Sequence, residues 1–135
     1  MSQQIDRVFL DANIFFSAGY GPSRLDQLWK LQRIEKCVLL ASEHVIEEAK
    51  RNLTDERKLQ RLDSYLSDIV IVPEMDSSIE CHIDLPQGDE EVPMAAVSAN
   101  ADFLLTGDIK HFGKYFGQKV MGVKILMPRD YLATL

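Results

Sequence analysis

Cysteine is scarce in this chain: Cys37 and Cys81 are the only two among 135 residues. Two thiols make neither a disulfide framework nor a structural metal cluster, so both are expected to be reduced and buried. Long apolar runs are also missing. No stretch approaches the ~20 apolar residues of a membrane span. The opening MSQQIDR has no basic end followed by an apolar stretch, which argues against a signal peptide. A cytoplasmic protein without membrane association is the expectation. Repeats, low-complexity tracts and linkers are absent too, so residues 1–135 read as one domain. A chain of this length can bury about two thirds of its unfolded surface. With 46% hydrophobic residues spread along it, disorder is excluded.

Basic charge is in deficit as well. The formal net charge of −6 argues against a nonspecific nucleic-acid binder. Its distribution is more informative. From Asp63 to Asp108 there are 11 acidic residues and no Lys or Arg. From Ile109 to Arg129 there are five basic residues (Lys110, Lys114, Lys119, Lys124, Arg129) and no acid. A second basic group lies at Lys50, Arg51, Arg57, Lys58 and Arg61. Charge runs usually mark solvated helix faces. The alternative is an acidic pocket with basic flanks, suited to metal ions and a polyanion.

Five short apolar runs predict strands: Val8–Leu10, Cys37–Leu40, Ile69–Val72, Phe103–Leu105 and Val123–Met127. Helical patterns lie between them. Ser23–Gln32 carries Leu25, Leu28, Trp29 and Leu31. Ser42–Leu53 carries Val45, Ile46, Ala49 and Leu53, with Ser42 placed to cap. Leu59, Leu62 and Leu66 mark a third helix. Val92, Ala95, Ala96 and Ala99 form a small-residue stripe that reads as core packing. Strands alternating with helices predict an α/β protein, a three-layer α/β/α sandwich around a parallel sheet of four to five strands.

Ligands of such sheets bind beyond the carboxyl ends of the strands. Asp11 follows the first run, in VFLDANIF, and Thr106-Gly107-Asp108 follows the fourth. Gly88-Asp89-Glu90-Glu91 precedes the Ala-striped helix, and Glu47 and Glu48 lie on the helix after Cys37–Leu40. At 100° per residue, Glu48 falls near the edge of the apolar face, whereas Glu47 points away from it. Any one of these acids could be a cap or a solvated side chain; their common place at strand ends is harder to dismiss. Two carboxylates 4 Å apart repel by ~4 kcal/mol at an effective dielectric of 20. Shared protons or hard cations relieve that repulsion, and Mg²⁺ and Mn²⁺ prefer oxygen ligands. Paired ions can activate a water and stabilise the leaving oxygen of a phosphodiester.

The segments VFLDANIFFSA, SEHVIEEAKRNL, GDEEVPMAAVSANADFLLTGD and GVKILMPRDYL resemble a PIN-domain protein of the bacterial toxin-like, VapC-like branch. The resemblance covers nearly the whole chain. Its most specific part is the spacing from Asp89 through the Ala-rich helix to Thr106-Gly107-Asp108. It implies a Mg²⁺- or Mn²⁺-dependent ribonuclease leaving 5′-phosphate and 3′-hydroxyl ends. It also implies a cognate antitoxin partner and a homodimer. Carried over by position, the acidic tetrad is Asp11, Glu48, Asp89 and Asp108, with Thr106 and Asn13 in support. Glu90, Glu91 and Pro93 crowd Asp89 and leave open which carboxylate there faces inward. Asp102 opens a strand, at the end away from the tetrad, and reads as structural.

Lys110, Lys114 and Lys119 are the expected phosphate contacts of an RNA substrate. His44, His82 and His111 lack ligand spacing and read as surface or partly packed, with His111 a possible phosphate contact. Gly19-Tyr20-Gly21-Pro22 reads as a turn before a helix. No G-x-S-x-G elbow or Gly-rich phosphate loop is present. The competing reading is an interaction module whose acids bind a basic protein partner. A phosphoacceptor domain is disfavoured, because Ile69–Val72 ends in Pro73 rather than an Asp.

Overall fold

The computed structural model describes residues 4–20, 25–74, 78, 80 and 90–135. Its centre is a sheet whose strands are β1 (Asp6–Leu10), β2 (Cys37–Ser42), β3 (Val70–Val72), β4 (Phe103–Leu105), β5 (Lys119–Val120) and β6 (Val123–Leu126). The order across the sheet is β3-β2-β1-β4-β6-β5. All pairings are parallel except that of β5 with β6. The five expected strands are all present and run parallel. The sixth, β5, adds a two-residue antiparallel edge after a tight turn in which Met121 and Gly122 both have positive φ, 52° and 88°. That backbone suits a two-residue hairpin.

Successive strand residues point to opposite faces, yet Val8, Phe9 and Leu10 are all fully buried. The sheet is therefore covered on both sides. The helices are α1 (Ala12–Tyr20), α2 (Asp26–Arg33), α3 (Glu43–Arg51), α4 (Glu56–Leu66), α5 (Glu91–Ser98), α6 (Ile109–Phe112) and α7 (Pro128–Ala133). Among the described residues, none of them is long and apolar enough to cross a membrane.

Local chemistry explains most boundaries. Ser42 Oγ accepts from Val45 N at 3.4 Å and starts α3, as expected. Asp55 starts α4 by accepting from the Arg57 and Lys58 amides. The predicted helix at Ser23–Gln32 is observed as α2 from Asp26, and Ser23 lies outside the described residues. In α5 the buried residues are Pro93, Met94, Ala95 and Ala96, so its inner face is broader than the expected stripe. Leu28, Trp29 and Leu62 are fully buried core. Trp29 Nε1 donates to the Tyr65 carbonyl at 3.0 Å, tying α2 to α4. The centres of both apolar stripes are thus used within the chain, while Leu25, Leu31, Leu59 and Leu66 are half-buried.

At the end of the sheet remote from Leu10, Asp102 Oδ2 accepts from Arg7 N at 2.8 Å, and Asp102 N donates to Arg7 O at 2.7 Å. Asp102 O also accepts from Lys124 N at 3.0 Å, so Asp102 joins β1, β4 and β6 as a structural residue. Nearby, Tyr131 Oη donates to Asp6 Oδ2 at 2.9 Å and fixes α7 against the first strand. Cys37 is buried there, and burial, then the Asp6 charge, pushes its thiol up to about 11. Cys37 is thus a buried free thiol, as expected, and a thiol raised in this way is a poor nucleophile at neutral pH. Cys81 lies outside the described residues.

Candidate active site

β1 and β4 are neighbours, with Leu10 opposite Leu105. Asp11 and Thr106-Gly107-Asp108 therefore leave the sheet side by side. β2 flanks β1 on its other side and delivers α3 to the same edge. Asp11, Glu48 and Asp108 line one cavity of about 440 Å³. Asn13 and His111 also face it. Three of the four expected acids are thus brought together; Asp89 lies outside the described residues.

Asp11 is only 7% exposed and is held by three donors. Its Oδ1 accepts from Ala12 N at 2.7 Å. Its Oδ2 accepts from Thr106 Oγ at 2.8 Å and from Asn13 Nδ2 at 3.1 Å. The Thr106 hydroxyl, fully buried, also accepts from Asn13 Nδ2 and from Asp108 N, each at 3.1 Å. Asn13 Oδ1 accepts from Gly107 N at 2.8 Å. Asn13 and Thr106 therefore lock the turn after β4 onto Asp11. Among the described residues, no buried side-chain polar atom lacks a partner.

Burial raises the Asp11 pKa above its ordinary value. The Thr106 and Ala12 hydrogen bonds oppose that rise, and the charges of Glu48 and Asp108 add to it. A carboxylate has about four lone-pair sites, so three hydrogen bonds leave Asp11 an acceptor site on Oδ1. All three carboxylates supply oxygen, the donor that hard divalent cations take. In chemistry the set fits such an ion. Among the described residues, no three His, Cys, Asp or Glu side chains are gathered closely enough to hold one together.

Asp108 carries an interaction that was not read from the sequence. Its Oδ1 caps α6 by accepting from His111 N at 3.1 Å, while the His111 ring Nδ1 lies 2.7 Å from Oδ2. The signal was present as an acid at a helix start with a histidine three residues on. The Glu47/Glu48 assignment by helical angle corresponds to different surroundings. Glu48 faces the cavity with Asp11, whereas Glu47 is exposed in a second acidic hollow with Glu43, Glu74 and Glu91. His44 Nε2 sits 3.2 Å from Glu91 Oε2 in that hollow. His82 lies outside the described residues. Lys110, Lys114 and Lys119 are all exposed and none lines the acidic cavity. Lys114 Nζ instead lies 5.1 Å from the centroid of the Tyr115 ring.

This is an α/β chain with a carboxylate-lined cavity at the carboxyl edge of its parallel strands. The sequence profile of the PIN domain matches residues 7–110, and the chain belongs to that family. Among curated proteins none matches it by sequence. Among solved structures it is similar to a chain of VapBC2 from Rickettsia felis bound to a DNA fragment from their promoter. The TM-score is 0.62 at 19% identity, over 88% of this chain and 96% of that one. At that identity the likeness is one of fold.

Proposed function

We propose that the chain is a metal-dependent endoribonuclease of the VapC-like kind, hydrolysing RNA phosphodiesters at the Asp11 cavity. The observation that carries this reading is the meeting of Asp11, Glu48 and Asp108 around one hollow at the strand ends. Asp11, Glu48 and Asp108 would hold Mg²⁺ or Mn²⁺, and Asp89 completes the tetrad in this proposal. When bound, such an ion supplies Lewis-acid stabilisation of the phosphodiester and a more acidic water.

The remaining work falls to the chain itself. Thr106 and Asn13 hold Oδ2 of Asp11 and the Ala12 amide holds Oδ1, which together keep the carboxylate aimed. His111 keeps Asp108 from rotating through its two contacts. Lys110, Lys114 and Lys119 would take phosphates of the RNA on the flank, giving position rather than sequence choice. The likeness to VapBC2 supports a partner protein that restrains the activity, as an antitoxin does. In a homodimer Leu28, Trp29 and Leu62 could take no part, because they are already buried.

The test is cleavage of single-stranded and hairpin RNA with Mg²⁺ or Mn²⁺, by the wild type and by Asp11→Asn. Removal of one group acting where charge develops commonly lowers the rate ~10²–10³-fold. That loss, together with abolition by EDTA, is the expected result. Full activity of Asp11→Asn, or activity indifferent to EDTA, overturns the reading and favours the interaction module.

A further inference from the structure

A polyanion that crosses the Asp11 cavity meets carboxylates at its middle and needs cations on both sides. Lys110 lies on α6 and Lys114 in the turn after it, so both serve the Asp108 side. The other side is the end of α3, where Glu48 and Asn52 line the cavity. There the chain carries its second basic group, with five basic residues against two acids from Lys50 to Arg61.

Arg51 directly precedes Asn52 and stands three residues beyond Glu48, on the same side of the helix. The direction of the chain brings the start of α4 to the same edge. Strand β3 is parallel to β2, so its first residue, Val70, lies at the amino end of the sheet, and α4 must descend to that end. The 11 residues of α4 span about 16 Å, close to the length of the five-residue β1. Helix α4 therefore begins at the carboxyl edge, four residues after Asn52, with Arg57 as its second residue.

The five basic side chains are not equally engaged. Lys50 Nζ lies 3.6 Å from Asp63 Oδ1 and ties α3 to α4. Arg61 Nη2 donates to Tyr65 Oη at 3.2 Å, with the guanidinium over the Tyr65 ring. Lys58 has an interaction of its own. Arg51 and Arg57 are exposed, and among the described residues their guanidinium groups make no hydrogen bond or ion pair. Asp55 Oδ1 is taken up by the Arg57 and Lys58 amides. A guanidinium is always charged, and its planar fork matches phosphate in a bidentate manner.

We propose that the α3–α4 turn is a phosphate clamp for the RNA strand on the side of the cavity away from α6, with Arg51 and Arg57 as its two contacts. The proposal rests on the nuclease reading for the path of the strand across the carboxylates. The arginines position the backbone and carry no sequence choice.

Binding of a short fluorescein-labelled single-stranded RNA is followed by fluorescence anisotropy in EDTA, over a series of salt concentrations. Each neutralised phosphate of a single strand contributes ~0.7 to the slope of log affinity against log salt. Arg51→Gln and Arg57→Gln should each flatten the slope by about 0.7, and the double variant by about 1.4. Arg51→Lys keeps the charge but not the fork, so it should keep the slope and lose affinity. Lys36→Gln removes the same charge at the amino end of the sheet, beside Asp6, and should leave the slope as it is. In cleavage with Mg²⁺, Arg51→Gln should raise KM while kcat stays within about twofold of wild type, the pattern of lost uniform binding.

Slopes unchanged in both Gln variants, or flattened equally by Lys36→Gln, overturn the clamp whether or not the RNA is cut. A wild type that binds no RNA in EDTA overturns it too. So does polyglutamate that displaces RNA at equal charge concentration, which would make the turn a site for an acidic protein. If the slopes fall as expected while Asp11→Asn cuts RNA as well as wild type, the nuclease reading falls and the clamp stands as an RNA-binding surface.

Discussion

Replacing Thr106 by Val tests how the site is held together. The two side chains have the same shape, but the exchange removes a hydroxyl that is fully buried and makes three hydrogen bonds. Asn13 retains Asp11 and Gly107 as partners. Asp11 Oδ2 loses its 2.8 Å donor, and the Asp108 amide loses its acceptor. A hydrogen bond to a charged group contributes about 1.5–3 kcal/mol and a neutral one about 1 kcal/mol. The added methyl recovers part of that. The net loss should be about 2–3 kcal/mol in metal-free protein at neutral pH, lowering the urea midpoint by about 1 M.

The loss should also depend on pH. Burial, then the Glu48 and Asp108 charges, raise the Asp11 pKa above 3.8, against the pull of the Thr106 bond. A carboxyl whose folded pKa is raised contributes stability that is fully present below the unfolded value. That stability is lost as pH rises through the folded value. Without the Thr106 bond the folded pKa of Asp11 moves higher still. The penalty of Thr106→Val is therefore smallest near pH 4 and grows toward pH 8. Urea unfolding in EDTA at both pH values measures it. A variant as stable as wild type, or a penalty flat across that range, would refute the account of how Asp11 is buried.

Glu48→Gln should reduce RNA cleavage ~10²–10³-fold, whereas Glu47→Gln, of identical composition and charge, should stay near wild type; equal rates would show that the assignment from helical angle is wrong. Tyr131→Phe removes the donor to Asp6 and should cost about 1–2 kcal/mol of unfolding free energy, read by urea titration, without changing cleavage. An unchanged midpoint would mean that α7 is held by ring packing on Phe103 alone. Saturating Mn²⁺, near 100 times its dissociation constant, should stabilise the wild type by about 2.7 kcal/mol, and a melting curve blind to Mn²⁺ would count against the proposed ligand set. Lys114→Ala should reduce the salt slope of RNA binding by about one phosphate contact, and an unchanged slope would take Lys114 off the RNA path.

The strands were legible because burial on both faces leaves short apolar runs bounded by polar residues. That Asp11 and Asp108 would meet was legible because such strands end at a common edge, while Asp89 lies outside the described residues. Three features were not. Helix α1, ANIFFSAGY, is apolar nearly throughout, so it offers no stripe to count; Ala12, Ile14 and Phe15 are all buried. Strand β5 has two residues and depends on its partner rather than on any pattern of its own. The aromatic and amide wall of the cavity is assembled from Phe16, Asn52 and Phe112 on three different helices, and no local spacing announces it.

The central place of β1 has a consequence for synthesis. Its Val8 pairs with Phe103, and the Asp11 carboxylate is held by a hydroxyl 95 residues further on. A ribosome adds about 5–20 residues per second, so at least several seconds separate the making of Asp11 from that of Thr106. During that interval Asp108 cannot join Asp11 and Glu48, whatever the early strands do. The nascent chain is born without its proposed chemistry, which can arise only after the fourth strand has been made. The site is closed last, when the fourth strand slides in beside the first.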